Sequence, residues 1–154
     1  KHRLEPIYKT SRDLGRIYGG KSMFLMKKEF YTGIEAIDSE HSKLFEIIEE
    51  ASELAKDQLR TDKYDQIKDL IDELRDYAAE HFSHEEAYME RIQYKRLFSQ
   101  KMDHKMFLDK IDSIDLFEMD EHQDETIMEI LEFLFNWLGE HILEKDMLLT
   151  KIKE

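Results

Sequence analysis

The 154-residue chain contains no cysteine, and that absence removes disulfides, thiolate metal sites, iron–sulfur clusters and cysteine nucleophiles together. Any metal it holds must be bound by His, Asp and Glu. It also contains no valine, one proline (Pro6) and five glycines. Without β-branched valine or frequent breakers, the backbone mixture of Leu, Glu, Lys, Met and Ile favours helices over strands. Positive charge is scarce as well: 23 Lys+Arg stand against 36 Asp+Glu, a formal net charge of −13. A nucleic-acid partner is therefore not expected, because phosphate binding needs clustered cations. No apolar run approaches the roughly 18 residues that span a bilayer, and no signal-peptide core is visible, so no membrane association is expected and the chain reads as soluble and cytoplasmic.

What is present is a set of four periodic segments. Hydrophobic residues make up 41% of the chain, enough for a single core at this length. The first segment covers about 38–55, with Leu44, Ile47, Ile48, Ala51 and Leu54 at spacings of three and four. The second covers 64–91, through Ile67, Leu70, Ile71, Leu74, Tyr77, Ala78 and His81. The third covers 97–114, marked by Met102, Met106, Phe107 and Ile111, and the fourth 126–152, from Ile127 through Leu134, Trp137 and His141 to Leu148. This is the spacing of amphipathic helices. Short polar links at 60–62, 93–95 and 120–123 predict an all-α, up-down-up-down four-helix bundle.

Residues 1–28 differ in kind. They carry eight Lys/Arg and two acids, a net +6, whereas residues 29–154 carry 15 basic and 34 acidic side chains, a net −19. With Pro6 and Gly19-Gly20 interrupting periodicity, 1–28 reads as a basic N-terminal extension or linker, and 29–154 as the bundle domain. The chain begins at Lys1, consistent with a fragment of, or fusion to, a larger signalling protein.

Each predicted helix places a histidine near its apolar stripe: His41, His81, His104 and His141. His81 and Glu85 are four apart and share a helix face, and Gln100 and His104 repeat that spacing. One such His is ordinarily a hydrogen-bonded core residue. Four on four helices, with a carboxylate beside them, point to a metal, since uncompensated buried imidazoles and carboxylates cost several kcal/mol. On donor chemistry alone zinc, iron and manganese all remain open. The Glu-x-x-His pairs of ferritin-like di-iron proteins are absent, and His84-Glu85 is not followed by the second His of a zincin. His2, His84 and His122 read as surface residues.

The pattern resembles the hemerythrins, bacteriohemerythrins in particular. The matching residues are Gly33-Ile34-x-x-Ile37-Asp38-x-x-His41-x-x-Leu44-Phe45, His81-Phe82-x-x-Glu85-Glu86-x-x-Met89, Tyr94, His104-x-x-Phe107 and Trp137-Leu138-x-x-His141-Ile142-x-x-x-Asp146. The resemblance implies two non-haem irons, oxo- or hydroxo-bridged. His41 and His81 would hold one, His104 and His141 the other, with Glu85 and Asp146 bridging. It implies reversible O2 binding for delivery, storage or sensing, with Leu44, Phe45, Phe82, Trp137, Leu138 and Ile142 as an apolar wall around the open position. Where the family has a further His, four residues before His104, this chain has Gln100, a weak ligand or a neighbour of the ligands. The alternative that follows is a labile metal or an oxidase- or peroxidase-like activity, with His84 as a distant substitute ligand. No dedicated substrate-binding group is visible, which favours an oxygen-binding protein over an enzyme. His141 and Asp146, five apart, should lie 140° apart on a regular helix. If both serve the site, a π-type widening or a bend is expected between them.

Overall fold

The computed structural model describes residues 24–60, 63–114 and 123–151. Among these, four helices form the expected bundle: α1 (Glu35–Lys56), α2 (Lys63–Arg91), α3 (Leu97–Asp112) and α4 (Gln123–Glu144). None is long and apolar enough to cross a membrane. Residues 61–62 and 120–122 of the predicted links and most of the basic extension, together with His2 and His122, lie outside the described residues. Phe24 and Phe30 are fully buried, and both rings meet Phe135 of α4, at 5.2 and 6.4 Å between centroids.

Local chemistry fixes two of the helix boundaries. Gly33 takes φ +87, the left-handed region that a Cβ disfavours, and turns the chain into α1. Asp38, one turn into the helix, accepts hydrogen bonds from the Thr32 and Gly33 amides (2.7 and 3.0 Å) and from the Thr32 hydroxyl (2.8 Å). At the far end of α2, Gln93 adopts φ 53, the Tyr94 amide donates to the Met89 carbonyl (2.8 Å) and the Gln93 amide to that of Glu90 (3.1 Å). These two bonds make a Schellman close, with Tyr94 packed near Met89 as its apolar contact.

The core is a ladder of α1, α2 and α4 side chains, among them Phe45, Ile48, Leu74, Leu131 and Phe135. Helix α1 packs along both α2 and α4, and α2 along α3. The fourth seam is different: α3 and α4 meet through side chains, with Phe107 and Trp137 at 4.5 Å between ring centroids.

Two expectations are corrected. Met102 and Met106 do not mark the inner face of α3; they are exposed, and the buried stripe is Gln100, His104, Phe107 and Ile111. The inward face is polar over its first two turns, so the apolar periodicity there points outward. The fourth helix also does not run on to residue 152. It ends at Glu144, and Asp146–Lys151 form a 3-10 helix.

Candidate metal centre

Ring nitrogens and carboxylates from the four helices and the 3-10 segment converge in the bundle interior. His41 comes from α1, His81 and Glu85 from α2, His104 from α3, His141 from α4 and Asp146 from the 3-10 segment, and all are at least nine-tenths buried. The expected departure from a regular helix between His141 and Asp146 is present, but as a tightening rather than a π-type widening. The Lys145 amide still donates to the His141 carbonyl (2.9 Å), while the Leu148 amide donates to that of Lys145 (3.1 Å), a three-residue step. This change of winding turns Asp146 inward alongside His141.

The two carboxylates are each shared between two sides. Glu85 Oε2 lies 3.1 Å from His81 Nε2 and 3.4 Å from His41 Nε2, while its Oε1 lies 3.0 Å from His104 Nε2. Asp146 Oδ2 lies 3.2 Å from His41 Nε2, and its Oδ1 lies 3.3 Å from His141 Nε2. Within one side, His104 and His141 bring their Nε2 atoms to 3.2 Å. The ligand atoms of His41, His81 and Glu85 all fall within 4.8 Å of one another, as do those of Glu85, His104 and His141.

The residues fit a cation. His81 Nε2, both Glu85 oxygens and Asp146 Oδ2 are buried without a well-formed hydrogen bond, because they point at common positions rather than along each other's lone pairs. Orphaned buried acceptors of this kind are costly, and a metal satisfies all of them at once. Without one, charge is redistributed by protons. The His81 imidazole is pushed up to about 9: burial pulls it down, but contacts with Glu40 and Glu85 outweigh burial. Burial would raise Glu85, yet the three imidazoles facing it hold its carboxyl well below the usual range. Burial and the Glu85 charge both push Asp146 up, and His141 and His41 bring it down overall.

Two of the outer nitrogens are held by carboxylates to which sequence reading assigned no role. Glu40 sits 3.2 Å from His81 Nδ1 and Glu86 sits 2.8 Å from His104 Nδ1, contacts that fix the tautomer and aim Nε2 inward. Asp103 is 3.9 Å from His141 Nδ1, beyond hydrogen-bonding range, and 3.4 Å from Lys145 Nζ. His41 Nδ1 is buried without a partner. No local spacing signals these carboxylates, since Glu40 reaches a residue on α2 and Glu86 one on α3; neighbouring a ligand in sequence was their only mark. His84 is exposed, as expected of a surface residue, and its Nδ1 lies 2.8 Å from Glu40, on the outer side of that carboxylate.

The six residues expected to wall the pocket belong to the core, and two of them, Phe82 and Trp137, meet ligand rings. Leu44, Phe45, Phe82, Leu138 and Ile142 are buried, and Trp137 is partly buried. Phe82 stacks on His104 at 3.9 Å and 7°, and Trp137 on His141 at 4.7 Å and 10°. Gln100 is buried too, and its Nε2 donates to Asp146 Oδ1 over 3.3 Å.

Residues 32–152 match the family model for the hemerythrin HHE cation binding domain. The chain belongs to the hemerythrin family. It is 50% identical to a bacteriohemerythrin of Clostridium acetobutylicum over 124 residues, covering 80% of this chain and 96% of the relative. It is 30% identical to a bacteriohemerythrin of Pseudomonas paraeruginosa over 116 residues, 75% of this chain and 71% of the relative. Bacteriohemerythrins of Pseudomonas aeruginosa strains match the same length at 28%. Hemerythrin membership implies a non-haem iron site, and the His and carboxylate groups just described are able to hold a metal.

Proposed function

We propose that this hemerythrin-family chain is a di-iron protein that binds O2 reversibly, for delivery, storage or sensing. His41 and His81 hold one iron, His104 and His141 the other, and Glu85 and Asp146 bridge them. The observation that carries this reading is the sharing of both carboxylates, each with one oxygen toward His41 and another toward His104 or His141. A single-metal site has no use for two such carboxylates.

When bound, the iron pair supplies redox electrons and an open position for a diatomic ligand. The protein supplies the rest. Glu40 and Glu86 hold the outer nitrogens of His81 and His104, so that the inner nitrogens remain free to ligate. Phe82 and Trp137 lie flat on the rings of His104 and His141 and stop them from rotating out. The same aromatic surface, with Leu44, Phe45, Leu138 and Ile142, keeps water and competing anions out of the pocket.

The test is metal analysis of the purified chain, followed by anaerobic reduction, exposure to O2 and optical spectroscopy. Two irons per chain and an oxygenated spectrum that reverses when O2 is removed are expected. An iron content indistinguishable from the blank after growth in iron-replete medium would sink the reading.

A further inference from the structure

The residue that stands where the resemblance leads one to expect a further ligand histidine sits inside the centre. Gln100 is 1% exposed on α3, one turn before His104. An ionised carboxylate can only accept, so the atom facing Asp146 Oδ1 at 3.3 Å is the carboxamide nitrogen. That leaves Gln100 Oε1 on the same carbon, buried and without any hydrogen-bond partner.

The donors around it fall into two matched sets. His41 and His81 stand with Glu85 Oε2 and Asp146 Oδ2; His104 and His141 stand with Glu85 Oε1 and Asp146 Oδ1. Each set is two imidazoles and one oxygen from each carboxylate. A histidine at position 100 would have given the second set a third imidazole and made the halves unequal.

Building on the di-metal reading above, we propose that Gln100 makes the centre two equivalent halves and leaves the His104/His141 half open to a second small exchangeable ligand. Its N–H holds Asp146 across the two halves, and its unpartnered Oε1 receives a hydrogen bond from that ligand when it is water or another protic molecule. Gln100 is thus a positioning residue that acts through Asp146, and it sets how many small ligands the centre takes. A buried acceptor left without a protein partner is the mark of a site completed by solvent.

The full chain loaded with Co(II) alone tests this without reference to O2, through the visible spectrum of the metal and its response to azide. Wild type is expected to bind two Co(II) and then two azides per chain. Gln100→His is expected to bind two Co(II) and one azide, because the added imidazole fills the second position. Gln100→Leu, which keeps the bulk but lacks N–H and oxygen, is expected to bind its second Co(II) about tenfold more weakly, the usual effect of losing a hydrogen bond to a ligand. One azide in wild type, matching Gln100→His, would mean that the carboxamide oxygen itself fills the position, and would overturn the proposal. Leucine indistinguishable from glutamine would reduce Gln100 to filler and overturn it too. If neither wild type nor Gln100→His binds Co(II), the di-metal reading fails and this inference fails with it.

Discussion

Phe82 lies face to face with His104, ring centroids 3.9 Å apart and planes 7° from parallel. The contact joins two roles in one side chain. Phe82 fills core between α2 and α3, and it pins an imidazole whose inner nitrogen faces Glu85. Phe82→Ala should therefore cost about 3–5 kcal/mol through the cavity it opens, lowering the melting temperature by on the order of 10 °C. Thermal unfolding measures this directly. Phe82→Leu, which keeps most of the volume but not the flat ring, should lose less stability while still loosening His104. A leucine variant as unstable as the alanine one would show that stacking, not volume, dominates.

Glu40 and Glu86 offer a separable test of how the ligands are aimed. Glu40→Gln and Glu86→Gln each weaken a contact on an outer nitrogen, and each should lower metal affinity by about tenfold or more. His84→Ala should leave affinity unchanged, since His84 meets the outer side of Glu40 and, more distantly, Glu80, and is itself exposed. Competition with a chromophoric chelator reads all three. An effect of His84→Ala as large as that of Glu40→Gln would instead make the exposed imidazole part of the binding machinery.

The metal-free centre should respond to pH in a defined direction. His81 at about 9 lies above its ordinary value of 6.5, so its contribution to stability is whole below about pH 6.5 and is lost as pH rises through about 9. Glu85 is held below its ordinary value of 4.5, so its contribution is present above that value and is lost as pH falls further. Chelator-treated protein should thus have its highest urea midpoint between about pH 5 and 6.5 and a falling one toward pH 9. Metal must displace the His81 proton, so uptake at neutral pH should release protons and tighten as pH rises. Calorimetry in buffers of different protonation enthalpy measures that release; stability climbing from pH 6.5 to 9 would contradict the assignment.

Asp38 predicts a stability effect that leaves the centre intact. It is the shared acceptor for the Thr32 and Gly33 amides at the entry to α1. Asp38→Ala strands those donors and should cost about 1–3 kcal/mol in urea unfolding, with metal content per chain unchanged. Loss of metal in a variant that still folds would tie this turn to the site more closely than its distance in sequence suggests.

The helices and their histidines were legible because both follow from spacing alone: His41, His81 and His141 sit among Leu, Ile and Phe that repeat every three or four residues. The face of α3 was misjudged at Met102 and Met106 because its inner stripe begins with Gln100 and His104, and hydrophobicity cannot announce a polar interior. The inward turn of Asp146 was foreseen as a necessity, but its form was not, since the choice between widening and tightening depends on how Leu149 and its neighbours pack. Glu40 escaped notice, and Glu86 was matched without a role, for a related reason. Their partners lie across the bundle, and only packing brings such pairs together.

The side-chain seam between α3 and α4 gives the centre a mechanical meaning. Elsewhere the helices pack along one another through aliphatic and aromatic core side chains. Here the ties include His104 against His141, Gln100 against Asp146, Lys145 against Ser99 and Asp103, and the Phe107–Trp137 pair. On the di-metal reading, an ion at the centre would add a further tie between α3 and the rest of the molecule. Occupancy at the middle of the bundle would then be felt as stiffness at this seam.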